Sequence, residues 1–142
     1  MRRYLVVANR TLAGRQLLEC VRHFRESGSC WFYVVVPATV DASASLSEDA
    51  EARARHRLAG ALARFRAEGA SALGEVGHAD PVRAVRDVLE RQSFDEVIVS
   101  TLPPGESSWS GLPEALARVT GLPVAHVAAD GEPLSVQSAA GG

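Results

Sequence analysis

The sequence contains no lysine, since all 15 of its basic residues are arginine. This absence excludes a phosphate-binding lysine of the Walker type and a catalytic lysine that forms a Schiff base. Cysteine is scarce too, because only Cys20 and Cys30 occur and they do not form a Cys-x-x-Cys redox motif. No apolar run reaches the length of a membrane span, and the charged start meets a polar break too early for a signal peptide. We therefore expect a cytoplasmic protein with no membrane partner.

Motifs for metal binding and catalysis are also lacking. No two of the four histidines have the spacing His-x-His or His-x-x-x-His that would support a local metal site. No Gly-x-Ser-x-Gly sequence marks a catalytic serine. The sequence thus predicts no metal and no catalytic residue, and it favours a protein that is not an enzyme. The formal net charge of −2 gives no reason to expect a nucleic-acid partner.

The pattern that is present is a regular alternation of strands and helices. Short apolar or β-branched runs predict strands at residues 4–8, 31–36, 71–76, 96–100 and 124–128. Apolar residues at helical spacing fill the intervals between these runs. Asp80 followed by Pro81 is a strong helix start, with the acid as N-cap and proline at the first helical position. Such alternation predicts an α/β fold with a parallel sheet.

The stretch from Phe94 to Val127 carries the best indication of a site. A buried strand at residues 96–100 leads into a polar loop at 100–111 and then into a helix that begins near Pro113. Ligands of open α/β sheets bind where strands end at their carboxyl edge. Serine hydroxyls and the N–H groups before the helix would suit an anion. The alternative is a rigid connection whose serines face solvent, and the residues leave both interpretations open.

Several short segments, taken in order, resemble the universal stress protein family. Asn9-Arg10-Thr11 follows the first strand as Asp-Gly-Ser does in that family, and Val36-Pro37 ends the second strand as its His-Val-x-Pro does. Gly77 with Asp80-Pro81 is similar to the Gly-Asp-Pro before its third helix. Gly121-Leu122-Pro123-Val124 is similar to the Cys-Pro-Val that opens its last strand.

The resemblance covers roughly residues 3–129 and implies an architecture for that part of the chain. Residues 1–129 would form a three-layer, doubly wound, open parallel sheet of five strands in the order 3-2-1-4-5, with helices on both faces. Residues 130–142 would form a C-terminal tail that is partly disordered, although Leu134 and Val136 suit a short edge strand.

The family's ATP-binding motif, Gly-x2-Gly-x9-Gly-Ser/Thr, is not present in its usual form. Gly105 and Gly111 are separated by five residues, and Pro103-Pro104 stands at the start of the loop. Proline lacks the backbone N–H that a phosphate cradle uses. We therefore expect that ATP binding in the usual way has been lost or replaced.

The resemblance nevertheless implies where a ligand would lie. Asn9 takes the place of an aspartate that contacts base or ribose, although asparagine is also an ordinary turn or cap residue. ATP or another nucleotide is the candidate ligand, and no cofactor is certain. The implied ligand-binding residues are Ala8, Asn9, Thr11, Val36, Pro37, Ser100, Thr101, Gly105, Ser107, Ser108 and Gly111.

Three functional hypotheses follow. The first is a regulatory or interaction module that works as a homodimer, and the second is a sensor of a nucleotide or another anionic metabolite. An enzyme acting on a nucleotide is a weaker third. The resemblance implies a dimer through strand five, which would otherwise leave an apolar edge open. The interface residues would be Val124, Ala125, His126 and Val127.

Two further features have alternative interpretations. Trp109, in the polar loop, would stack on a ligand or, as we favour, pack on the core or at a dimer interface. Five arginines at residues 53, 55, 57, 64 and 66 suggest a basic row on the second helix. Acidic residues precede them, and we expect a solvated helix face.

Overall fold

A computed structural model of the protein describes residues 1–9, 11–12, 14–38, 47–101, 109, 111–128 and 136–138. Strands and helices alternate along the chain as the sequence predicts. They are β1 Arg2–Val7, α1 Arg15–Glu26, β2 Cys30–Pro37, α2 Ser47–Ala67, β3 Ser71–Gly77, α3 Pro81–Leu89, β4 Glu96–Thr101, α4 Leu112–Thr120, β5 Val124–Ala128 and β6 Val136–Ser138. None of the helices in this described part is long and apolar enough to cross a membrane.

The strands form one sheet in the order β3-β2-β1-β4-β5-β6. The first five are parallel, which confirms the expected order 3-2-1-4-5. β1 lies between β2 and β4, so that Val6 is opposite Val34 on one side and Ile98 on the other. The chain therefore reverses its direction of winding at β1, and the carboxyl ends of β1 and β4 form the switch point of the sheet.

Helices cover both faces of the sheet, because the strands are apolar on both. On one face α1 and α2 pack through Leu17, Val21, Ala54 and Phe65. On the other face α3 and α4 pack on a second cluster that includes Leu116. The predicted three-layer arrangement is thus present, and strands buried on both faces explain why the apolar runs are continuous rather than alternating.

Two helix ends, the start of α3 and the end of α4, have the capping residues that the sequence predicts. Asp80 accepts a hydrogen bond from Val82 N at 3.0 Å, and Pro81 occupies the first turn of α3. Gly121, with φ of +71°, ends α4 in the left-handed conformation that glycine adopts without strain. The first of these ends starts α3 after β3, and the second turns the chain from α4 toward β5.

The last strand, β6, covers the edge of β5 that was expected to be open. β6 pairs antiparallel with β5, with His126 opposite Gln137, so the short edge strand considered for the tail is present. β5 consequently has a hydrogen-bonded neighbour on each side within one chain. Residues 129–135 and 139–142 lie outside the described residues.

Gly74 in β3 leaves room for α2 to pack closely on the sheet. A Cβ atom at this position would contact the Val34 carbonyl oxygen and would lie 2.7 Å from Leu58 Cδ1. The carbonyl belongs to the neighbouring strand and cannot move without disturbing the ladder. Gly74 therefore lets α2 pack closely on the sheet at Leu58, and the preceding residue, Arg57, contacts Asn9 at the end of β1.

We predict that Gly74→Ala lowers the free energy of unfolding by about 1–3 kcal/mol, since the added methyl group overpacks the interface between helix and sheet. The matched control is Gly60→Ala in α2, where an added Cβ meets nothing within 4 Å. This control should raise stability by up to about 1 kcal/mol through helix propensity. Urea denaturation measures both, and equal stability of the two variants would contradict the close approach.

Candidate functional site

Buried polar side chains gather at the carboxyl edge of the sheet. Most of the core is apolar, and among the described residues the buried polar or charged side chains are Asn9, Thr11, Gln16, Glu96, Ser100 and Thr101. All of them except Glu96 lie at the ends of β1 and β4 or in the first turn of α1, which follows β1. Burying polar groups costs free energy unless they are hydrogen-bonded, so this cluster requires an explanation.

Thr11 and Ser100 join the loop after β1 to the end of β4. Their hydroxyl oxygens lie 2.6 Å apart, and the two side chains are 5% and 1% exposed. The sequence expectation that both belong to one site is consistent with this contact. Two adjacent hydroxyl groups at the switch point of the sheet form a polar floor, with the apolar Ala8 buried beside them.

Asn9 joins the end of β1 to the end of β2. Its Nδ2 donates to the Pro37 carbonyl oxygen at 2.7 Å, and its Oδ1 accepts from Arg57 Nη1. Val36 lies buried beside this contact. The amide of Asn9 therefore has protein partners at both ends and holds the Arg57 guanidinium over the sheet.

The expectation of a solvated arginine face on α2 is wrong for two of its members. Arg53 and Arg57 are half-buried rather than exposed, and Arg57 donates a hydrogen bond to Asn9 Oδ1. Arg53 Nη2 is buried and has no hydrogen-bond partner, and it is the only such side-chain atom in the described part of the chain. Both residues directly precede members of the apolar stripe, Ala54 and Leu58. That adjacency is the sequence signal that could have revealed their direction.

The outer arginines of α2 behave as predicted. Arg55 forms an ion pair with Glu51 one turn earlier, and its side chain is 65% exposed. Arg64 is exposed as well. Arg66 donates two hydrogen bonds to the Ala72 carbonyl oxygen, at 3.2 and 2.8 Å. The arginine row thus divides into an outer face and an inner pair.

Thr101 and His126 form a second polar contact at this edge, on the face covered by α3 and α4. Thr101 Oγ1 lies 2.7 Å from His126 Nε2. Burial lowers the pKa of His126, and the weaker attraction of Glu114 only partly opposes this effect. His126 is therefore held as a neutral imidazole that links β5 to β4.

The remaining predicted residues are distributed as follows. Gly111 is the exposed N-cap of α4 with φ of +77°. Trp109 is half-buried and packs against the cluster beneath α3 and α4, in line with the favoured interpretation. Gly105, Ser107 and Ser108 lie outside the described residues. In β5, Val124, Ala125 and Val127 are buried and His126 is half-buried.

An open cavity of about 350 Å³ lies at the opposite, amino edge of the strands, where Arg25, Cys30 and Ser71 are among the residues that line it. Arg25 there donates a hydrogen bond to the Glu68 carbonyl oxygen. We place the candidate site at the carboxyl edge because the buried polar groups gather there. Among the described residues, no three His, Cys, Asp or Glu side chains are grouped as a metal site would require.

The fold is that of the universal stress proteins. A universal stress protein solved in complex with cAMP superimposes with a TM-score of 0.61 at 16% identity, over 91% of this chain and 98% of the other. A universal stress protein from Archaeoglobus fulgidus gives a TM-score of 0.64 at 15% identity, over 92% and 94% of the two chains. No family model matches the sequence, and no curated protein matches it either.

The lowered pKa of His126 predicts a loss of stability in mild acid. As the pH falls from about 7.5 to 5, the unfolded chain binds a proton at this histidine near its ordinary pKa of about 6.5, while the folded state resists protonation. The free energy of unfolding should therefore decrease over this window. His126→Gln should reduce the decrease, as urea denaturation at several pH values would measure.

His56→Gln is the matched control, because His56 is exposed on α2. It should reproduce the pH dependence of the wild-type protein. If His126→Gln follows the wild-type curve as closely as the control does, burial of a neutral His126 is refuted.

Proposed function

We propose that the protein is a regulatory module with the universal stress protein fold, which binds a nucleotide or another anionic metabolite at the carboxyl ends of β1 and β4. The observation that carries this proposal is the gathering of buried polar side chains at the switch point of the sheet. A core that only had to be stable would bury apolar groups there instead. The solved neighbour in complex with cAMP supports a nucleotide as the ligand class.

The binding mode differs from the family's usual ATP site. The loop between Thr101 and Trp109 carries Pro103-Pro104, and the glycine spacing of the motif is absent. The polar floor formed by Thr11 and Ser100 supplies hydroxyl groups that can donate to or accept from a ligand. A ligand held there would contact β1 and β4 rather than a continuous cradle of backbone N–H groups.

The test is thermal unfolding in the presence of adenosine, AMP, cAMP and ATP, each with and without Mg²⁺. A ligand present at one hundred times its Kd stabilises the folded state by about 2.7 kcal/mol, which raises the Tm by roughly 5–10 °C in a domain of this size. The double variant Thr11→Val with Ser100→Ala should lose most of that rise, since it removes both hydroxyl groups together.

Thr120→Val is the matched control for this double variant. Thr120 lies at the far end of α4, on the amino side of the sheet, where its hydroxyl donates to the Leu116 carbonyl oxygen at 2.7 Å. This control should retain the full ligand-induced shift. Absence of a shift across the whole nucleotide panel would refute the proposed function.

Homodimer formation at the β5 end of the sheet is a second proposal. The intramolecular cover of β5 is short, because β6 has three residues and pairs only with residues 125–127. A copy of the same edge could pair with β5 over all five residues from Val124 to Ala128, and this longer backbone ladder would compete with the three-residue pairing of β6. The dimer would thus form by displacement of β6.

Gln137→Pro tests this competition, because proline removes a backbone donor from β6 and weakens its pairing with β5. We expect a larger dimer fraction in the variant than in the wild-type protein at tens of micromolar, measured by light scattering after size exclusion. Strictly monomeric behaviour of both proteins would contradict dimer formation through β5.

A further inference from the structure

The inner arginine pair, Arg53 and Arg57, lies at the same edge as the proposed ligand site. α2 connects the parallel strands β2 and β3, so it runs back from the carboxyl edge of the sheet to the amino edge, and its third turn, at Arg57, lies at the end of β1. Arg57 is fixed there by its hydrogen bond to Asn9 at the end of β1. Arg53 lies one helical turn before Arg57 on the same face of α2, about 6 Å along the helix axis toward its N-terminus.

Arg53 is the member of the pair that has a buried donor with no hydrogen-bond acceptor. Its Nη2 is buried without a hydrogen-bond partner, although Nη2 carries two N–H donors and part of a positive charge. Leaving a buried charged donor unsatisfied is costly, and native structures rarely retain such a group without a reason. None of the ion pairs among the described residues includes Arg53 or Arg57. The pair therefore presents positive charge that no carboxylate in that part of the chain neutralises.

We infer that Arg53 and Arg57 bind the phosphate group of the ligand, and that α2 thereby replaces the glycine-rich phosphate loop. This inference rests on the proposed function and names the group that the site recognises. A guanidinium matches phosphate oxygens with a planar fork of donors and stays charged at any physiological pH. In this chain the positive charge comes from a helix, while the loop that would have supplied N–H groups contains two prolines.

The neighbouring start of α1 suits the same anion. Gly14, the N-cap of α1, provides no side-chain acceptor, and no acidic residue occupies the first turn. The N–H groups at this helix start therefore favour a negative charge at the edge where β1 ends. Asn9 acts as a positioning residue, because its amide holds the Arg57 guanidinium in place from the side of the sheet.

Isothermal titration with inorganic pyrophosphate, ATP and adenosine tests the inference on the full chain. Arg53→Met should weaken pyrophosphate and ATP binding by about tenfold or more, as expected when a charge-assisted hydrogen bond to phosphate is lost. Adenosine, which has no phosphate, should bind wild type and variant alike. Arg57→Met should have the same selective effect as Arg53→Met.

Arg55→Met is the matched control, because it removes the same charge two residues away on the exposed face of α2. It should change pyrophosphate affinity by less than about twofold, the effect of a screened surface charge. Arg53→Lys keeps the charge but loses the fork, so its affinity for pyrophosphate should lie between those of wild type and Arg53→Met.

The outcomes separate the inference from the proposed function. If ATP and adenosine bind equally well and Arg53→Met changes neither, the arginine pair is not the phosphate site, while the proposed function stands. If no nucleotide or nucleoside binds, the proposed function fails first and the inference with it. Arg53→Met should not lower the Tm of the ligand-free protein, since it removes an unpaired buried donor. If it raises that Tm without changing pyrophosphate binding, the burial of Arg53 has no ligand-binding role.

Discussion

The placement of β1 between β2 and β4 is the constraint on which the rest of the structure depends. Its parallel register with both neighbours brings three strand ends to one edge, so that Asn9 meets Pro37 and Thr11 meets Ser100. Leu5, Val6 and Val7 are completely buried and pack into two different clusters, so a shift of one residue would disturb the close packing on both faces of the sheet. The geometry of the candidate site therefore follows from the packing of one apolar strand.

The site is unusual in where its positive charge originates. The described loop ends contribute hydroxyl groups from Thr11, Ser100 and Thr101, but none of these carries a charge. The charge comes from α2, which lies close to the sheet because Gly74 has no side chain. In the proposed site, packing and ligand recognition are thus linked, since the same close approach that completes the core also brings Arg57 to the end of β1.

Much of the fold could be predicted from the sequence, and less of the site. The apolar runs and the Asp80-Pro81 helix start give the order and type of the elements, because burial on both faces and capping leave local signatures. The direction of Arg53 and Arg57 leaves a weaker signature, which is only their position next to Ala54 and Leu58 of the apolar stripe. It depends on the rotation of α2 about its own axis, and arginine is compatible with both solvent and a half-buried site. The short edge strand suggested by Leu134 and Val136 is present as β6, but its bounds could not be predicted, since a strand of three residues carries little periodic pattern.

A crystal structure of the protein with bound pyrophosphate would show directly whether Arg53 and Arg57 hold the phosphate group. Phosphate oxygens should lie within about 2.7–2.9 Å of Arg53 Nη2 and of the Arg57 guanidinium, over the carboxyl ends of β1 and β2. The role of the arginine pair would be contradicted if the anion lay elsewhere, or if Arg53 Nη2 were paired with an acceptor from its own chain while the edge of the sheet held no ligand.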